Sequence, residues 1–161
     1  MILGGVMKKI SFAFILSLLF AGCTGRDPDL LNVDLFQYKD TYLGDNSAVG
    51  NLLNQLEDSE ELKQFSLNTG EKPYGITLDY LHLESNNAHE MVITNSTFLF
   101  ALIQNLDEVT FQFKDREIIV TQEVLENGYG KSLNEFETEQ ELRTSIQEQI
   151  ESYDLIKQIF Q

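Results

Sequence analysis

Cysteine occurs once in this 161-residue chain, at Cys23. A single thiol rules out an intramolecular disulfide. Histidine is nearly as scarce, with only His82 and His89, and their spacing is not that of a helical zinc-protease motif. Basic residues are few: 11 Lys and Arg stand against 26 Asp and Glu, for a net charge of −15. That balance excludes nucleic acid as a partner, because phosphate binding needs clustered Lys and Arg. It also excludes an electrostatic grip on anionic lipid headgroups. A membrane-spanning run is missing too. The greasy segment at residues 10–22 has 13 residues, short of the roughly 20 that cross a bilayer as a helix.

That short segment has informative neighbours. Lys8 and Lys9 precede it, Ser11 and Ser17 alone interrupt it, and Ala21-Gly22 brings small residues up to Cys23. The run Leu19-Phe20-Ala21-Gly22-Cys23 resembles the lipobox of bacterial lipoprotein signal peptides. The resemblance implies cleavage before Cys23, a diacylglycerol group on its thiol, and a lipid anchor on the extracytoplasmic face of the cell membrane. One position departs from the pattern: Phe20 stands three places before the cysteine where leucine is usual. An uncleaved N-terminal anchor is the alternative. Met7-Lys8-Lys9 is a normal beginning for such a peptide, so translation is expected to start at Met7, with Met1 as the other choice. From Cys23 onward the chain has nine Lys and Arg against all 26 Asp and Glu, a net charge of −17. Anchoring is therefore expected to come from acyl chains alone, each buried CH₂ contributing about 0.8 kcal/mol.

The expected organisation is a signal peptide at 1–22, an acylated tether at 23–33, and one domain at 34–161. Within that domain the hydrophobic period changes several times. Ser47 reads as the N-cap of a helix with Val49, Leu52, Leu53 and Leu56 on its apolar side. Asp58 or Ser59 restarts a short turn, and a strand begins at Phe65. Asn68-Thr69-Gly70 and Lys72-Pro73 punctuate a turn before a mostly buried strand at 74–83. Asn95 or Ser96 reads as the cap of a helix at 97–105, apolar almost all round and therefore expected under a sheet. Residues 109–113 and 117–121 alternate as a hairpin about Lys114-Asp115. Asn127-Gly128-Tyr129-Gly130 reads as a loop. Thr138-Glu139-Gln140-Glu141 is a capping box that opens a long amphipathic helix with Leu142, Ile146, Ile150, Tyr153, Ile156 and Phe160 along one stripe. The fold class is α+β: a single domain with helices packed on a largely antiparallel sheet, closing with that long C-terminal amphipathic helix.

Three stretches of this domain carry a family resemblance. The run from Gln37-Tyr38-Lys39-Asp40-Thr41-Tyr42-Leu43-Gly44-Asp45-Asn46-Ser47 to Leu53, the stretch Lys72-Pro73-Tyr74-Gly75-Ile76-Thr77, and Phe98-Leu99-Phe100-Ala101-Leu102 with Ile103 to Asp107 resemble the bacterial domain-of-unknown-function family 4825. The likeness covers about 34–126, and residues 84–90 match nothing in it and read as a variable loop. The resemblance implies a small lipoprotein of Gram-positive type, related to domains joined to membrane sensor metallopeptidases. It implies no established activity and no catalytic residue.

Chemical motifs are sparse. Gly130-Lys131-Ser132 has the tail of a phosphate-binding loop, but Leu125 stands where that motif needs glycine. His82 and Glu84 share a strand face, with His89 and Glu90 in the following loop, and this is the only arrangement suggesting metal chemistry. No calcium-loop ladder is present. The acidic clusters Glu57-Asp58, Glu60-Glu61 and 135–141 read as solvated helix starts, favoured by the helix dipole. The polar loop Gly44-Asp45-Asn46-Ser47 reads as a turn feeding a helix, or as a ligand contact together with Tyr38, Tyr42 and Tyr74. No catalytic residue, cofactor or metal ligand is assigned. The expected function is a non-enzymatic binding or regulatory (sensing) domain for a protein or envelope ligand of basic character, held on the membrane through Cys23. The alternative is an envelope hydrolase or metal-dependent enzyme using His82 and nearby carboxylates.

Overall fold

Strand alternation is resolved into two sheet faces of opposite character in the computed structural model, which describes residues 33–81, 88–152 and 154–160. Four strands, β1 (Leu62–Asn68), β2 (Gly75–Tyr80), β3 (Glu108–Gln112) and β4 (Glu117–Thr121), lie side by side in sequence order. Because side chains alternate across a strand, the pairing register sorts them into rows. Phe65, Leu78, Phe111 and Ile118 form one inner row, and Leu67, Ile76, Val109 and Val120 the next. The pairs β1–β2 and β3–β4 are antiparallel, whereas β2 and β3 run parallel. A parallel neighbour needs a long crossover, and α2 (Ala88–Leu102) stands between those two strands in the chain.

Helix α2 is the centre of the molecule. Thirteen of its 15 residues are buried. On one side Asn95 reaches Tyr80 of the sheet. On the other α2 meets α4 (Glu139–Ser152) and α5 (Asp154–Ile159). It begins at Ala88, well before the cap expected at Asn95 or Ser96, and both of those residues are wholly buried in mid-helix. The residues 88–90, read as loop, are helical. A helix enclosed on all sides has no polar face to reveal its period, so the polar run Thr94–Thr97 imitates a helix start.

Other boundaries differ for local reasons. Helix α1 (Asn46–Leu53) is capped by Asp45, whose carboxylate accepts the Ala48 N–H at 3.0 Å, and not by Ser47. Strand β1 starts three residues earlier than Phe65. Helix α3 (Gln122–Tyr129) replaces the loop expected at its C-terminal end: Thr121 caps it, and Gly130, at φ +68°, ends it in the left-handed conformation. Gly128 is required inside α3 because Leu155 of α5 packs where a Cβ would stand, with its Cδ2 at 2.6 Å. The closing amphipathic helix comprises α4 and α5, on either side of Tyr153, which lies outside the described residues. Thr138 caps α4 by accepting the Glu141 N–H, while the Glu141 carboxylate accepts from Glu137 rather than from Thr138. Leu142, Ile146 and Leu155 are buried, and Ile150 and Ile156 are half-buried. No described helix is long and apolar enough to cross a membrane.

Candidate functional site

The outer face of the sheet is the counterpart of the inner rows. Its middle row is Ser66, Thr77, Thr110 and Ile119. One flanking row is Gln64, Asp79, Gln112 and Glu117, and the other is Asn68, Gly75, Glu108 and Thr121. All these residues except Gly75 are exposed or half-buried. Cross-strand bonds order the first flanking row: the Gln64 amide donates to Asp79 and the Gln112 amide to Glu117, each at 3.1 Å. Lys63 offsets one charge, lying 3.7 Å from Asp79. Ile119 is 52% exposed in the middle row, an apolar side chain among hydroxyls and carboxylates. Strand β4 is also an edge of the sheet.

At one end of this face lie the loops that hold the residues singled out from sequence. Both are fastened to the segment leaving α2. Thr41 pairs with Leu102 and Gln104 through its backbone, and the Leu43 N–H donates to the Asn105 side chain at 2.8 Å. Tyr74 precedes β2, and its N–H donates to the Asp107 carboxylate at 2.7 Å. Lys72 pairs with the same carboxylate at 3.2 Å and lies over the Tyr74 ring. Of the expected contacts, Asp45 is used as a helix cap and Tyr38 and Tyr74 pack against the core. Asn46 is exposed at the first position of α1, and Tyr42 is 60% exposed. Cys23, His82 and Glu84 lie outside the described residues. His89 is the second residue of α2 and stacks on Phe160, with ring centroids 3.9 Å apart. Burial, then the charge of Arg116, pushes it below its ordinary value of 6.5.

A second concave region lies in the helical layer. Glu57, Glu90, Thr94, Arg143, Ile146, Gln147 and Ile150 line a cleft of about 280 Å³ between α2, α4 and the turn after α1. Burial, then Asp58 and Glu90 against the opposing pull of Arg143, leaves the Glu57 carboxyl above its ordinary range. Its backbone is held from inside: the Asn95 side chain accepts the Glu57 N–H at 3.1 Å and donates to the Glu57 carbonyl at 2.9 Å. Glu57 is exposed, as expected of a solvated acidic cluster, and only the packing of α4 on α2 brings Thr94 and Arg143 to the same cleft. The other acidic clusters match that reading better, with Glu60 and Glu61 opening a 3₁₀ turn and Glu139 and Glu141 the first turn of α4.

Glu126 is a different kind of carboxylate. Burial opposes its charge, but bonds from Ser132, Gln122 and the Leu133 N–H outweigh burial and hold its carboxyl below the ordinary value. It ties the end of α3 to the turn before α4 and is structural. Among the described residues there is no group of three or more metal-ligating side chains placed to hold an ion.

No curated protein and no solved structure matches the chain. The model of the family described as Domain of unknown function (DUF4825) matches residues 35–123, spanning the turn before α1, the whole sheet and α2, and the chain belongs to that family.

Proposed function

We infer that this chain is a membrane-anchored, extracytoplasmic lipoprotein whose domain binds a protein partner in sensing or regulation and catalyses no reaction. The observation that carries the binding half is the outer sheet face, where Ile119 is exposed on the same face as the carboxylates of Asp79, Glu108 and Glu117. The partner that fits is a protein surface of net positive charge with an apolar recess. Charge complementarity sets the association rate, and a desolvated apolar contact supplies affinity. Covering Ile119 fully is worth about 1.5–3 kcal/mol. The anchor half rests on the lipobox ending at Cys23 and on the net charge of −17 that follows it. Such a domain is repelled by an anionic envelope surface, over about 10 Å at 0.1 M salt, and stands off on its tether.

Two measurements test the two halves separately. Cys23→Ser should move the protein out of the membrane fraction and remove the lipid mass from the N-terminal peptide. A Cys23→Ser protein as firmly membrane-bound as the wild type overturns the anchor. For recognition, a photoreactive residue placed at Ser66 in the full chain should crosslink, in cells, to a protein with a basic surface. Asp79→Lys combined with Glu117→Lys should lower that yield at least tenfold, and association with the captured partner should slow as salt rises. A neutral or acidic partner with salt-independent association overturns the assignment of this face.

A further inference from the structure

The two edges of the sheet are built differently. Strand β1 carries Lys63 and a bulge between Leu62 and Gln64, and both discourage another strand from pairing there. Strand β4, Glu117-Ile118-Ile119-Val120-Thr121, has no lysine, no proline and an unbroken register against β3. All but Glu117 are β-branched, the type that suits a pleated surface. The direction of each backbone group along this edge follows from its neighbours. The Phe113 N–H donates to the Arg116 carbonyl at 2.9 Å, and the Gln122 N–H to the Asp107 carbonyl at 3.1 Å. Bonds in an antiparallel ladder fall on every second residue, so Arg116, Ile118, Val120 and Gln122 bond to β3. Glu117, Ile119 and Thr121 direct their N–H and carbonyl groups away from it. Among the described residues no other backbone reaches those of Glu117 or Ile119, and both residues are exposed.

We propose that the β4 edge pairs with β4 of a second copy of this chain, antiparallel and with Ile119 at the two-fold axis. Each Ile119 then exchanges N–H and carbonyl bonds with Ile119 of the other copy, their Cα atoms about 5.5 Å apart. Each Thr121 N–H donates to the Glu117 carbonyl of the other copy. Thr121 opens α3, and the pairing stops there. The strand is symmetrical about Ile119 in character as well as in bonding, with Glu117 and Thr121 on the outer face and Ile118 and Val120 buried on the inner. This register sets Glu117 opposite a threonine and avoids a like-charge pair, which destabilises a sheet. Past the strand ends, Lys114 and Arg116 of one hairpin come towards Glu123 at the start of the other copy's α3. All three are exposed, and their charges are complementary. The two Ile119 side chains, each 52% exposed in the single chain, shield one another on the outer face. A pairing of five residues buries less than a standard interface, so the dimer dissociates on dilution. The charge of −17 on each mature copy weakens it further at low salt. This pairing needs neither the lipid anchor nor the partner inferred above, and it leaves the rest of both outer faces open.

The test uses the full chain in excess detergent micelles, with bismaleimidoethane as the crosslinking probe. Ile119→Cys should give a crosslinked dimer. Glu117→Cys should give about fivefold less, since Glu117 lies roughly 14 Å from its own counterpart across the axis. Lys63→Cys at the β1 edge should match the wild type, whose Cys23 is the only thiol and sets the background. Sedimentation of the wild type should show a monomer–dimer equilibrium whose dimer fraction rises with protein concentration and with salt. Ile119→Pro removes only an N–H that points away from β3, a place where edge strands admit proline, and Ile119→Lys sets two like charges at the axis. Both should abolish the dimer while keeping a cooperative melt. Capture of a basic partner from Ser66 is expected of monomer and dimer alike, so its failure and that of the dimer are separate results. A wild type that sediments as a monomer at every concentration and salt overturns the proposal. Equal crosslinking at Ile119→Cys, Glu117→Cys and Lys63→Cys, or a dimer that survives both Ile119→Pro and Ile119→Lys, does so as well.

Discussion

Helices α2 and α4 are nearly equal in length and opposite in construction. Of the 15 residues of α2, 13 are buried, whereas the 14 of α4 bury only Leu142 and Ile146. The first is packed between the sheet and the C-terminal helices, and its polar residues find partners inside the protein. The second lies on the surface, with Glu and Gln facing water. A helix shows its period in sequence only where one side meets solvent. That is why α4 was recognisable from its capping box and stripe, while the first two turns of α2 were not.

The contrast should appear first in tolerance to truncation. Phe98→Ala in α2 should destabilise by about 3–5 kcal/mol, the range for large aromatic truncations in packed cores. Gln147→Ala on the exposed side of α4 should change stability by less than about 0.5 kcal/mol. Urea unfolding measures both, and similar values would erase the distinction. Next comes the buried amide. Asn95→Ala removes the partner of both the N–H and the carbonyl of Glu57, and should cost roughly 2–3 kcal/mol through unsatisfied polar groups. A smaller loss than that from a surface amide would mean that water replaces the side chain.

The close approach of α3 and α5 gives a third and smaller effect. Gly128→Ala should destabilise by about 1–2 kcal/mol by overpacking against Leu155, and Leu155→Ala in the same chain should recover part of that loss. Additive losses in the double variant would refute the contact. The smallest effect is that of pH at His89, where the N-terminus of α2 meets the end of the chain. Its folded-state value lies below the unfolded 6.5, so the folded protein binds fewer protons than the unfolded one. The resulting stability is present above about pH 6.5 and is lost as pH falls through the folded value. His89→Gln should flatten the melting-temperature profile between about pH 7 and 5. An unchanged profile would show that the Phe160 contact does not depend on that charge.

Sequence alone determined the features that rest on local chemistry or simple alternation. The β3–β4 hairpin, the α1 apolar residues Val49, Leu52 and Leu53, the Thr138 cap, the α+β class and the family kinship of the 37–53 stretch were all legible in this way. Tertiary structure decided what depends on neighbours distant in the chain. Asp45, not Ser47, caps α1, at the end of a loop whose Leu43 is tied to Asn105. Gly128, read as a loop residue, is helical because α5 packs against it. The strand after α2 runs parallel to β2, and α2 itself extends back to Ala88 through Asn95 and Thr94, residues with poor helical propensity. The cleft of Glu57, Glu90, Thr94 and Arg143 draws on three segments of the chain, so no local pattern marks it. The physical reason is the same in each case: propensity and capping act over a few residues at about 1 kcal/mol or less, whereas burial against a distant element contributes several and overrides them.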